Sequence, residues 1–196
     1  LALAKKIDAP NVVIAPPFVF LPAIKKVVKK ASLGAQDLFW QERGSYTGEV
    51  SVAQLISLGV KYVIIGHSER RKYFKETDEI INKKIKAALE ADLSVVLCIG
   101  EPRTVRKKGI AAAKKFVKNQ LQSDLKGIMN YEARIKKNII VAYEPVWAIG
   151  TGKADKPEET AAMTSFIKKL LVISYKLKIK VLYGGSVNAQ NAASFL

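Results

Sequence analysis

Six short, nearly unbroken apolar runs punctuate this chain, at residues 12–15, 33–36, 62–66, 95–99, 139–143 and 179–183. A run that is apolar at every position has no face to give to solvent, and four or five residues is strand length rather than helix length. Each run therefore reads as a strand covered on both sides. Between them lie longer stretches with helical spacing, such as Ile80, Ile81, Ile85, Ala88 and Leu89, or Ala162, Phe166, Ile167, Leu170, Leu171 and Ile173. Strands buried on both faces and separated by helices imply a parallel sheet with right-handed crossovers. The fold class is α/β, either closed as a barrel or open and doubly wound. Helix starts are marked by Thr77-Asp78-Glu79, by Ser51 before Val52, and by Pro157 with two glutamates in the first turn. No linker or low-complexity segment interrupts the pattern, so residues 1–196 read as a single domain.

The polar residues fall at the ends of these strands: Gln36, His67, Glu101, Glu144, Gly184 and Gly185. Carboxyl-terminal strand ends are where α/β barrels keep their chemistry. The most informative of them closes the run Ile139-Ile140-Val141-Ala142-Tyr143-Glu144-Pro145, where Pro145 forbids helical geometry at Glu144 and stops the ladder beyond it. A carboxylate on such a platform, among Tyr143, Val146 and Trp147, would have its charged form disfavoured by desolvation, which suits a general base. The competing reading is a glutamate that caps a strand and ends in water. Downstream, Gly150 and Gly152 allow a backbone to close on an anion. They do not form a nucleotide loop, because Trp147 and Ala154 stand where that pattern needs a glycine and a hydroxyl.

His67 follows another strand, at what reads as the start of a short helix. Helix N–H groups and their partial positive charge disfavour imidazolium there, leaving a neutral ring able to donate to a carbonyl. A lone histidine is otherwise more often a satisfied structural residue, but a base and a neutral donor on two strand ends suit proton transfer beside a carbonyl. Tyr183-Gly184-Gly185-Ser186-Val187-Asn188 reads as a strand, a turn and a cap before a helix, a junction whose N–H groups can hold phosphate or merely turn the chain.

Composition narrows the field. No apolar run approaches the ~20 residues of a membrane span, and one cysteine, Cys98, excludes an intrachain disulfide and fits a reducing, cytoplasmic setting. One Cys and one His cannot assemble a structural zinc site, and no cofactor motif is present. The net charge of +16 is spread over several helices, so it argues for solvated outer faces rather than a nucleic-acid stripe, while still drawing in small anions.

The motifs together resemble the triosephosphate isomerase family. They are residues 12–17 (Val-Val-Ile-Ala-Pro-Pro), Gly34-Ala35-Gln36, Tyr46-Thr47-Gly48-Glu49, Gly66-His67-Ser68-Glu69-Arg70-Arg71, Cys98-Ile99-Gly100-Glu101, 143–153 and 183–188, in family order. The resemblance implies a TIM (β/α)8-type barrel that interconverts dihydroxyacetone phosphate and glyceraldehyde 3-phosphate. It implies Glu144 as the base, His67 as the neutral electrophile, and Ser68, Glu69 and Cys98 as supporting residues. It further implies residues 145–153 as a lid, phosphate contacts from Gly150 and Ser186, and a homodimer docked through the loop with Thr47 and Glu49. The family's Asn-Trp-Lys strand and its final Gly-Gly have no counterpart in these 196 residues, so about six of the eight βα units are expected. Taken on their own, the 196 residues are expected to be poorly soluble and weakly active or inactive, a phosphate-binding or oligomerising remnant being the alternative.

Overall fold

A computed structural model describes residues 1–149 and 155–195. In chain order the elements are α1 (Ala2–Lys6), β1 (Val13–Ile14), α2 (Leu21–Val27), β2 (Ser32–Ala35), α3 (Val52–Ser57), β3 (Tyr62–Ile65), α4 (Ser68–Tyr73) and α5 (Asp78–Glu90). They continue as β4 (Ser94–Ile99), α6 (Arg103–Arg106), α7 (Ile110–Asp124), α8 (Glu132–Asn138), β5 (Ile139–Tyr143), α9 (Pro157–Tyr175) and β6 (Lys180–Tyr183). All six expected strands form, each within a residue or so of its apolar run.

The chain gathers into two compact units, Leu1–Ile65 with Lys83–Val96, and Gly66–Asn82 with Leu97 onward. In the first, β1, β2 and β3 pair in parallel, with Val13 opposite Ser32 and Gly34 opposite Tyr62. The Ser94 N–H, at the start of β4, donates to Lys61 O at 2.9 Å. Ala35, Val63, Ile65 and Val95 are fully buried from the strands, as are Leu55, Ile85, Ala88 and Leu89 from the helices. One charged pair shares this interior: Lys84 Nζ donates to both Asp37 oxygens, at 2.6 and 2.8 Å. The Ser51 signal is a complete capping box, in which Ser51 Oγ accepts from Gln54 N–H and Gln54 Oε1 accepts from Ser51 N–H.

In the second unit β5 and β6 pair in parallel over Ile140 to Tyr143, with Tyr143 opposite Tyr183. Leu97, Val117, Leu121, Ile135, Val141, Met163, Ile167 and Leu177 are fully buried around them. Pro157 opens α9, and Lys176 in the left-handed conformation closes it. The helix expected after Asn188 is instead a turn followed by a 3-10 segment, Ala192–Phe195. Asn188 Oδ1 accepts from the N–H groups of Gln190 and Asn191, and Asn191 Oδ1 accepts from Asn188 N–H. Those local bonds compete with an α-helical start. Among the described residues no helix is long and apolar enough to cross a membrane.

Candidate active site

Glu144 is set by backbone before its side chain is considered. β5 ends at Tyr143, and the Glu144 N–H donates to Ile99 O at 2.8 Å, tying the residue to the end of β4. On the other side the Gly184 N–H donates to Tyr143 O, also at 2.8 Å. Two glycines make room for this. A Cβ on Gly100 would run into the Glu144 carbonyl, and one on Gly184 would stand 2.9 Å from Glu144 Cγ. The strand-capping alternative fails, since Glu144 is only 5% exposed.

Among the described residues its carboxylate has three neighbours in the same unit. Oε2 accepts from the Ser68 N–H at 3.1 Å. Oε1 lies 3.4 Å from His67 Nε2. The third is the Cys98 thiol, which burial pushes well above its ordinary range, with the charge of Glu144 adding to the effect. That thiol stays protonated and serves as a small packed donor, not a nucleophile.

His67 leaves the strand through Gly66, whose φ of +78° is a left-handed value that favours glycine. It is the N-cap of α4, and its Nδ1 accepts the Glu69 N–H at 3.3 Å. A ring nitrogen that accepts leaves the proton on the other, so the hydrogen sits on Nε2, the nitrogen nearer Glu144. The Glu69 carboxylate, 3.9 Å from Nδ1, is too far to hydrogen-bond it. With 30% of its side chain exposed, His67 is open to a ligand while Glu144 sits behind.

Around this pair lies a hub at a residue that the sequence marked as a polar strand end and the last residue of a motif, with no role assigned. Glu101 is fully buried and accepts from Tyr143 Oη at 3.1 and 3.2 Å, from Trp147 Nε1 at 3.3 Å and from Arg106 Nη1 at 3.5 Å. Burial raises its carboxyl above the usual range, against the pull of these donors. Trp147 precedes the glycine loop, and Asp155 follows it, giving its N–H to Tyr183 Oη at 3.0 Å. Gly150 lies outside the described residues. Ser186 stands two residues past Gly184, its carbonyl accepting from Asn191 Nδ2 at 3.1 Å. Thr47 and Glu49 belong to the other unit, in an exposed turn closed by Glu49 N–H to Tyr46 O at 3.0 Å. What sequence reasoning missed is the support: Asp124 lies in no motif, and Arg71 and Gly100 were read only as parts of one, with no role of their own.

The family model for triosephosphate isomerase matches residues 2–196. The chain is 44% identical over 192 residues to the triosephosphate isomerase of Thermoanaerobacter pseudethanolicus, covering 95% of this chain and 75% of the relative. The chain belongs to the triosephosphate isomerase family. A second triosephosphate isomerase, from Dictyoglomus thermophilum, is 42% identical over 200 residues, or 99% of this chain and 78% of its own. That of Geobacter metallireducens is 41% identical over the same length. The chain thus spans about three quarters of the length of these relatives. Membership of this isomerase family accounts for the six parallel strands alternating with helices, as part of a TIM barrel.

Proposed function

We propose that the chain interconverts dihydroxyacetone phosphate and glyceraldehyde 3-phosphate, with Glu144 and His67 as the reacting side chains. The observation that carries this is the pair itself, a buried carboxylate 3.4 Å from a half-open imidazole whose other nitrogen is already occupied. Glu144 removes a proton from C1 of the ketose, and the electron pair moves onto the C2 oxygen. His67 gives its Nε2 proton to that oxygen, so a substrate carbonyl takes the place beside Nε2 that Glu144 Oε1 holds at 3.4 Å. Glu144 returns the proton to C2 while the O1 proton passes to His67 Nε2, replacing the one given to O2, and the aldose is complete. Ser68 and Cys98 hold the carboxylate, and the Glu69 N–H holds the ring.

Ser186 and Gly150 are read as phosphate contacts, and the loop between Trp147 and Asp155 as a cover that keeps water from the enediolate. No metal or cofactor enters this chemistry. Thr47 and Glu49 are read as part of a contact with a second copy of the chain. A buried, unpaired Cys98 supports a cytoplasmic setting.

The test is a coupled assay of the purified chain beside Glu144→Asp. Retracting the carboxylate by about one bond length should lower kcat roughly 100-fold while KM moves only a few-fold. An unchanged kcat would remove Glu144 from the role. A wild-type chain that binds 2-phosphoglycolate without turning over would favour the phosphate-binding remnant.

A further inference from the structure

Gly66-His67-Ser68-Glu69-Arg70-Arg71 supplies three residues to the reaction just described and leaves Arg71 unused. Its guanidinium is 17% exposed and lies behind the reacting pair. Nε donates to Gly66 O at 2.7 Å, and Nη2 donates to Cys98 O at 3.3 Å and to Asp124 Oδ2 at 2.7 Å. Nη1 donates to Asp78 Oδ1 at 2.5 Å. Four of the five N–H groups are thereby used.

Two of these bonds go to backbone, at telling places. Gly66 is the residue before His67. Cys98 carries the thiol against Glu144, and the carbonyl of the next residue, Ile99, accepts the Glu144 N–H at 2.8 Å. One planar cation thus joins the strand end bearing the imidazole to the strand end on which the carboxylate rests. The approach is close enough that a Cβ on Gly66 would meet Nη2 at 2.9 Å and Cys98 O at 3.0 Å. A buried ion pair is weak support for stability, because desolvation offsets most of the attraction. A rigid fork spent on two carbonyls is better suited to fixing distance.

We propose that Arg71 is a positioning residue that sets the separation of His67 and Glu144, with Asp78 and Asp124 holding its fork in plane; this rests on the isomerase reading of the pair. The ammonium of lysine is a point donor and cannot span both carbonyls and both carboxylates. Arg71→Lys should therefore recover only part of what Arg71→Met loses.

The chain has one histidine, so the His67 ring gives one pair of proton resonances and reports on the pair without any turnover. In Arg71→Met those signals should shift or broaden, and kcat should fall at least 10-fold with KM within about threefold. Arg71→Lys should lie between the two. A folded Arg71→Met with unmoved ring signals and kcat within twofold of wild type would overturn the proposal. If Arg71→Met does not fold, Asp78→Asn keeps the guanidinium and removes one of its holders. A shifted His67 spectrum then supports the clamp, and an unmoved one overturns it. A wild-type chain that fails to turn over would defeat the isomerase reading, and the clamp would still be decided by the ring signals alone.

Discussion

At the scale of single residues, the site is a problem of keeping charges buried and still placed. Asp124 shows the cost. It is fully buried, its Oδ1 has no hydrogen-bond partner among the described residues, and burial pushes its carboxyl up to about 7 against the pull of Arg71 and with some help from Asp78. A raised acid binds more protons folded than unfolded, so stability falls as pH rises between its unfolded value near 4 and about 7. The gap of about three units corresponds to roughly 4 kcal/mol. Asp124→Asn is always neutral, so its melting temperature should lose the part of the pH 5 to 8 decline that this carboxyl causes. Parallel profiles for the two proteins would mean that Asp124 does not titrate in that range. At the same scale, Glu144 and His67 were legible because proline, glycine and a lone histidine are local marks. Arg71 and Asp124 were not, because their roles exist only once residues 53 positions apart have met.

At the scale of elements, glycines decide how closely strand ends approach. Gly184 was legible as a turn, yet its second role needs the neighbouring strand: its Cα faces Glu144 Cγ. Gly184→Ala should displace the Glu144 side chain first, since its Cγ would be met at 2.9 Å, with the Tyr143 carbonyl next at 3.3 Å. A kcat loss of about 10- to 100-fold with a melting temperature within a few degrees is the expected result in paired kinetics and thermal denaturation. Gly100→Ala meets backbone instead, so it should lower stability as well. Strand positions followed directly from the apolar runs, and the capping box at Ser51 from its spacing to Gln54. Removing that cap by Ser51→Ala should cost about 1 kcal/mol in denaturant unfolding. The segment after Asn188 was misread because its asparagines satisfy the backbone locally, a choice the helical pattern of the neighbours does not reveal.

At the scale of the whole molecule, alternation of covered strands with helices was enough to fix an α/β class, while the choice between barrel and open sheet came from motif resemblance and then from family membership. Net charge was legible as a number and not as a map; +16 spread over helices predicts a field rather than a site. Raising ionic strength should therefore lower kcat/KM for the anionic triose phosphate and leave kcat nearly constant, and a salt-independent kcat/KM would show that the field does not steer. The claim on which the rest depends is that Glu144 moves a carbon-bound proton on a substrate held by His67. It is tested most directly by running the isomerisation in deuterium oxide and following deuterium at the carbon next to the carbonyl, in wild type and in Glu144→Gln. Solvent deuterium should appear in the wild-type product, with neither exchange nor conversion in Glu144→Gln; exchange that persists without the carboxylate would rule out Glu144 as the base.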